Sequence, residues 1–215
     1  KNTSLGVEVV INTTDAQVFM HKLEDDLPRL ASLDSVEIQQ ISLDHELTNF
    51  TILPSLASAV NDTIRPPDSY LCQDCLGELF DQNSKYYLYP FTNCTNCGPR
   101  YSVIRGLPYD RPLTALANFP LCESCGAEYT DSNNRRYHAQ ATACPNCGPQ
   151  LNAELAEVAE SLRLGKIVAL KGVGGYALLA DAKNSVTLQQ LRQRKKRSSK
   201  PFALMALNVT SIRHF

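Results

Sequence analysis

A chain of 215 residues with 43% hydrophobic and 20% charged side chains carries apolar material for more than one small core, so two or three folded units are expected. Its 22 acidic residues balance 21 basic ones, a formal net charge of −1 that argues against bulk affinity for nucleic acid. No run of 18 apolar residues occurs, so no segment reads as a transmembrane helix and the chain reads as soluble and cytoplasmic.

Residues 1–56 read strand, helix, strand, strand. Leu5 to Ile11 is β-rich, and Thr14 or Asp15 can cap a helix that repeats Phe19, Leu23 and Leu27 at fourfold spacing before Pro28 closes it. Val36, Ile38 and Ile41 pattern a strand over 36–43, and Phe50 to Leu53 is a short final one. The order suits the latter part of an α+β sandwich, with the chain starting mid-domain. Residues 57–71 are expected to be a linker, because Arg65-Pro66-Pro67-Asp68 favours extended backbone.

Eight cysteines follow in four Cys-x2-Cys pairs: Cys72/Cys75, Cys94/Cys97, Cys122/Cys125 and Cys144/Cys147. Eighteen residues separate the pairs inside each half, 24 separate the halves, and the unit repeats with a period of 50. Beyond the cysteines the repeat retains Glu78/Glu128, Asp81/Asp131, Asn83/Asn133, Tyr87/Tyr137, Asn96/Asn146, Gly98/Gly148 and Pro99/Pro149. Each pair presents two thiolates on one tight turn, and tetrahedral Zn2+ takes two such turns, so two closed four-sulfur sites are predicted. A disulfide framework is the alternative, but it suits small secreted domains rather than this spacing. Four protein sulfurs leave no coordination position for water, so both metals are expected to be structural. Counting eight thiolates and two Zn2+ takes the net charge to about −5. Gly98, Gly126 and Gly148, each following the second cysteine of a turn, are expected to let backbone N–H groups turn toward sulfur.

From Leu151 the pattern becomes α/β. Asn152 can cap a helix with Leu155, Val158, Ala159 and Leu162 on one face, ended near Gly165. A strand from Ile167 to Leu170 runs into Lys171-Gly172-Val173-Gly174-Gly175-Tyr176, and a second apolar run spans Ala177 to Ala180. A helix capped by Asn184, carrying Leu188 and Leu191, leads to a basic run and a further strand from Phe202 to Leu207, where the pattern is still building.

The basic run is the second chemical signal. Six Lys or Arg residues fall between Arg192 and Lys200 without one acidic residue, a density that suits an anion. Cations favoured by a helix C-terminus explain Arg192 and Arg194 equally well. The glycine loop after Lys171 offers close backbone approach to phosphate, although it also reads as an ordinary strand-to-strand turn. Together the two features suggest a nucleoside triphosphate.

Longer strings now point to a family. Cys72-Gln73-Asp74-Cys75 with Glu78-Leu79-Phe80, then Tyr89-Pro90-Phe91-Thr92-Asn93-Cys94-Thr95-Asn96-Cys97-Gly98-Pro99-Arg100, then Leu107-Pro108-Tyr109-Asp110-Arg111-Pro112, closely resemble the HypF family of hydrogenase-maturation carbamoyltransferases. Glu128-Tyr129-Thr130-Asp131, Arg135-Arg136-Tyr137-His138-Ala139-Gln140 and Ala143-Cys144-Pro145-Asn146-Cys147-Gly148-Pro149 resemble its second finger. The resemblance implies an α+β multidomain fold. Residues 1–56 would be the C-terminal part of a ferredoxin-like acylphosphatase sandwich and 57–71 a linker; two four-cysteine zinc-finger modules at 72–99 and 122–149 would flank a segment at 100–121. Residues 150–215 would begin an α/β YrdC-like nucleotide-binding domain.

The same resemblance implies function. The family takes carbamoyl phosphate, releases phosphate, activates carbamate with ATP (as the Mg2+ complex) to carbamoyl-adenylate, and transfers the carbamoyl group to the C-terminal Cys of HypE for cyanide ligand synthesis. Lys1-Asn2-Thr3-Ser4 resembles the segment that begins with the acylphosphatase Asn, which makes Asn2 the catalytic candidate. The Arg loop of that site has no counterpart, so the chain alone is expected to be inactive. Arg194, Lys196, Arg197 and Lys200 occupy the family's triphosphate motif, with Lys171 as a neighbour, and Lys196 stands where the family has Arg. The competing class is a zinc-finger nucleic-acid-binding or scaffold protein with RNA contact through 192–200. Against it, Cys72 to Cys147 holds six Lys or Arg and seven Asp or Glu residues, with no basic stripe. Arg135, Arg136 and His138 read as salt-bridge and backbone partners rather than as the lining of a channel, His138 is not expected to bind metal, and Asp110-Arg111 reads as a turn pair.

Overall fold

The computed structural model describes residues 1–3, 6–28, 30–43, 48–54, 65–172 and 175–213. It divides into two units, Lys1–Gln150 and Leu151–Phe215, each described by itself.

The first unit opens with two short antiparallel strands, β1 (Asn2–Thr3) and β2 (Gly6–Val7), and one helix, α1 (Ala16–Asp25). Asp15 caps α1, its carboxylate accepting from the amides of Gln17 at 2.9 Å and Val18 at 3.4 Å, which relieves two of the donors a helix leaves unpaired. Three corrections concern strands. The run expected from Leu5, which lies outside the described residues, is represented only by β2. Neither 36–43 nor 50–53 forms a strand. A strand needs a neighbour's backbone, and Val36, Ile38, Ile41 and Phe50 remain exposed with no ladder partner among the described residues. Among the described residues of 1–56 the pattern therefore reduces to β1, β2 and α1.

The cysteine repeat forms the rest of this unit and holds its core. Helices α2 (Gln73–Phe80) and α3 (Glu123–Thr130) begin on Cys72 and Cys122, so each first pair straddles a helix N-terminus. Each helix leads into the same loop. Asp81 and Asp131 accept from the amides of Asn83 and Asn133 at 2.9 Å, and Leu88 and His138 both adopt positive φ, 53° and 49°. Three short 3-10 turns, Tyr101–Val103, Arg111–Leu113 and Ala115–Asn118, join the fingers around Val103, Leu116 and Ala141.

The segment read as a linker is described from Arg65 onward, and its end is fastened to the first finger. Ser69 bridges to Gly98, and Asp68 accepts from the amide of Arg100 at 2.7 Å and from the amide and hydroxyl of Ser102. Burial opposes ionisation of Asp68, but these bonds outweigh it and hold its carboxyl below the usual range.

The glycines do a different task from the one expected. The amides of Gly126 and Gly148 bond to the carbonyls of Cys122 and Cys144, both at 2.8 Å, while other amides approach sulfur, among them those of Cys75 and Asn96, 3.5 and 3.4 Å from Cys72 and Cys94, and that of Asn146 toward Cys144. Crowding explains Gly98 and Gly148. A Cβ on Gly98 would meet Asn93 Cβ at 2.5 Å, and one on Gly148 would meet the Tyr89 hydroxyl at 2.2 Å and Ala143 Cβ at 2.5 Å. Gly148→Ala is expected to destabilise the fingers by about 1–3 kcal/mol, read from urea unfolding followed by circular dichroism.

The second unit is a hairpin with helices. Helix α4 (Leu155–Arg163) starts after Glu154 rather than Asn152, with no side-chain cap, and Gly165 ends it at φ 72°. Strands β3 (Val168–Gly172) and β4 (Gly175–Leu179) pair antiparallel, so the glycine loop joins neighbouring strands; Val173 and Gly174 lie outside the described residues. Asn184 caps α5 (Ser185–Arg194) by accepting from the amide of Thr187 at 3.1 Å. The strand expected at 202–207 is absent. Leu204, Met205 and Leu207 are exposed and unpaired in any ladder, and the chain continues into α6 (Val209–Ile212). Among the described residues no helix is long and apolar enough to cross a membrane.

Candidate metal centres and the basic turn

The sequence brings eight thiols into two groups, Cys72, Cys75, Cys94, Cys97 and Cys122, Cys125, Cys144, Cys147, with the four sulfurs of each within 4.8 Å of one another. All eight cysteines are unbridged, and the close pairs Cys72–Cys94, Cys94–Cys97, Cys122–Cys144 and Cys144–Cys147 stand 3.7 Å apart. A disulfide holds its sulfurs at about 2.05 Å. A tetrahedron with Zn–S bonds of about 2.3 Å has edges of about 3.8 Å, so both groups fit structural zinc. Every position of that tetrahedron is filled by protein, which suits a metal that holds the fold.

Four thiolates packed together without metal cannot all ionise. In the first group the hydrogen bonds shared with Cys94 and Cys97, together with burial, drive the Cys75 thiol strongly upward. Cys97, accepting from Cys75 and Cys94, is held below the ordinary thiol range. Metal must displace the retained protons, so zinc affinity is expected to fall as pH drops, and a competition titration with a chromogenic chelator at stepped pH measures the slope.

Charged side chains surround the sulfurs. Arg136 is only 2% exposed, donates to Glu78 and to the carbonyl of Asn93 at 3.1 Å, and lies 3.8 Å over the Tyr86 ring. Arg135 also pairs with Glu78. Burial disfavours the Glu78 carboxylate, but the bonds from Arg136 and Arg135 prevail and hold it below its ordinary range. His138 packs tilted against Tyr129 and edge-on to Tyr137, with ring centroids 4.7 and 4.6 Å away, and belongs to neither sulfur group. Asp110-Arg111 proves to be more than a turn pair. The Arg111 guanidinium donates to the carbonyls of Phe119, Gln140 and Thr142 at 2.7 to 2.9 Å, tying the inter-finger segment to the second finger. Arg100, 6% exposed, does the same for the first through the carbonyls of Cys94, Thr95 and Pro99. Sequence reading missed the roles of Lys85, Tyr86 and Arg111. For Lys85 the only signal was its place, one period before Arg135.

Asn2 lies on β1, where its amide donates to Asp110 Oδ1 at 3.3 Å. In the second unit α5 ends in a turn fastened by two of its own arginines. Arg192 donates to the carbonyl of Lys200 at 3.0 Å, Arg197 donates to those of Lys200 at 3.2 Å and Pro201 at 3.0 Å, and both guanidinium groups lie over Phe202. Arg194, Lys196 and Lys200 project from this frame, exposed, with Lys196 at φ 48°. A shallow, open surface depression is lined by Arg192, Gln193, Lys196, Arg197 and Ser198; Lys171 is outside that lining, on β3, its ammonium 5.7 Å from the Tyr176 ring.

Comparison with known proteins follows the same division. Residues 71–104 and 121–153 match the family model described as HypF finger, and 160–215 match that described as Telomere recombination, which covers the Sua5, YciO and YrdC proteins. The chain is 46% identical over 98% of its length to the carbamoyltransferase HypF of Synechocystis sp., and 47% identical over 99% to that of Rhizobium leguminosarum bv. viciae. It spans 29% and 28% of those proteins, less than a third of their length. A crystal structure of full-length HypF in a phosphate- and nucleotide-bound form matches 92% of the chain, at 39% identity and a TM-score of 0.82, the chain covering 27% of it. One of T. kodakarensis HypF matches 98%, at 39% identity and a TM-score of 0.83, with 28% of that chain covered.

Proposed function

We propose, since the chain belongs to the HypF family, that it supplies the zinc-finger frame and part of the nucleotide site of a hydrogenase-maturation carbamoyltransferase. In this reading the complete cytoplasmic enzyme hydrolyses carbamoyl phosphate to carbamate and phosphate. The carbamate oxygen then attacks the α-phosphorus of Mg2+-bound ATP and pyrophosphate leaves; the C-terminal Cys thiol of HypE, losing its proton, attacks the carbamoyl carbon of the adenylate and AMP leaves. Carbamate is short-lived in water, and adenylation inside an enclosed site turns it into an acyl donor before it decomposes.

The observation that carries this reading is the fastened basic turn. Arg192 and Arg197 spend their donors on the carbonyls of the turn, so the shape of 192–200 is set before any ligand arrives. Arg194, Lys196 and Lys200 are thereby offered to an anion, and the shallow surface depression that Lys196 and Arg197 border puts cationic side chains beside it. Arg197 combines framing with lining, and Lys171 stands outside that lining, on β3. A full-length HypF similar to this chain was crystallised in a phosphate- and nucleotide-bound form, which supports a nucleotide site in the complete protein.

Lys200→Ala in the complete carbamoyltransferase is expected to weaken ATP binding by roughly 10- to 100-fold, the loss of a charge-assisted contact, with both fingers still folded. Isothermal titration decides it, and equal affinities would reduce the run to a solvated helix end. Asn2 stands for the acylphosphatase Asn in the same proposal. Without the Arg loop to stabilise the phosphoryl group, the 215-residue chain should release no phosphate from carbamoyl phosphate above the buffer rate. Clear turnover in a phosphate-release assay would contradict that assignment.

A further inference from the structure

Lys85 and Arg135 occupy equivalent places one repeat period apart, and each reaches across to the other finger's sulfurs. Arg135 donates to Cys75 Sγ at 2.9 Å and lies 3.8 Å from Cys72 Sγ. Lys85 lies 3.8 Å from Cys125 Sγ, donates to Ser124 Oγ at 2.8 Å and pairs with Glu128 at 2.9 Å. The next residue repeats the exchange. Arg136 binds Glu78 beside Cys75, and the Tyr86 hydroxyl binds Glu128 beside Cys125. The backbone joins in where Thr95 donates both its amide and its hydroxyl to the carbonyl of Arg135. Tyr86 and Tyr89 of the first finger pack in one core with Cys125 and Cys144 of the second.

A buried zinc ion with four thiolates carries about −2 charge, and withdrawing that charge from water is costly unless cations and N–H donors face it. Here those donors come from the opposite finger. We propose that Lys85 and Arg135 are positioning residues for each other's metal centre, and that this exchange makes the two centres load and empty as one unit. The arrangement is not even: two arginines face the first group against Glu78, and one lysine faces the second against Glu128. Arg136 lies 3.9 Å from Glu128 as well, so its charge joins the two surroundings. This inference stands apart from the carbamoyl-transfer reading, because it concerns metal retention alone.

Native mass spectrometry of the zinc-loaded chain during chelation tests it. The wild type is expected to pass from two zinc ions to none without accumulating a one-zinc species. Arg135→Met and Lys85→Met should each speed release of both ions, roughly 10- to 100-fold, and Arg135→Lys should restore part of the loss. Arg105→Met, an exposed arginine outside the exchange, should behave as wild type. In cobalt-substituted protein, Arg135→Met should also move the thiolate-to-metal charge-transfer band to lower energy, a change that loss of packing alone would not produce. A one-zinc species building up in the wild type, release unchanged in the methionine variants, or an unmoved cobalt band overturns the proposal. Should a methionine variant fail to fold, the wild-type release profile and the Arg135→Lys spectrum decide the question.

Discussion

Replacing Cys94 and Cys97 together by alanine is expected to unfold both fingers rather than the first alone. Zinc binding to a small finger is worth about 10–16 kcal/mol. The stability of a whole domain is about 5–15 kcal/mol, so losing one metal exceeds what the remaining contacts can hold. The apolar contribution is small: among the described residues the hydrophobic side chains packed against the first sulfur group are Leu71 and its own cysteines. Collapse of that group releases Arg135 and Arg136 and removes the seat of Thr95, which fixes the loop of the second finger. Circular dichroism and zinc content measured on the same sample should show loss of folded signal together with both ions. A variant that keeps one zinc and half of its structure would show that the fingers fold separately.

Arg136→Ala has the second-largest expected effect. The side chain is 2% exposed, pairs with Glu78, caps the Asn93 carbonyl and covers the face of Tyr86. Removing it leaves the Glu78 carboxylate with Arg135 alone and the Asn93 carbonyl without this donor, at a cost of about 3–5 kcal/mol. Arg136→Lys should recover little, since one ammonium cannot reach Glu78, the carbonyl and the ring together. Urea unfolding of both variants measures the difference, and a shift no larger than that of the exposed Arg105→Ala would contradict the argument.

What the sequence made legible was whatever depends on neighbours along the chain. Cys-x2-Cys spacing defines a sulfur pair by itself, and the 50-residue period assigns the pairs to two groups. The cap Asn184, the helix end at Gly165 and Asp15 as one of two candidate caps were equally readable, because a cap acts on amides two or three residues away. Contacts between segments far apart were not. Lys85 and Cys125 are 40 residues apart, and nothing near Lys85 signals where its ammonium goes. The stretches 36–43 and 202–207 failed as strands for a related reason, since alternation or an apolar run marks a candidate strand but supplies no ladder partner. Arg111 was undervalued because Asp-Arg beside Pro has the composition of a turn, whereas three carbonyls from Phe119, Gln140 and Thr142 converge on it in the fold. The basic turn was legible as charge, while its division into framing arginines and outward cations required coordinates.

Two closed sulfur groups acting as metal centres underlie the whole account, and zinc K-edge absorption spectroscopy with metal analysis tests them most directly. Two zinc ions per chain are expected, each with four sulfur neighbours at about 2.3 Å and no nitrogen or oxygen ligand. One metal per chain, a mixed shell that includes a histidine nitrogen, or disulfides persisting in reduced protein would contradict it.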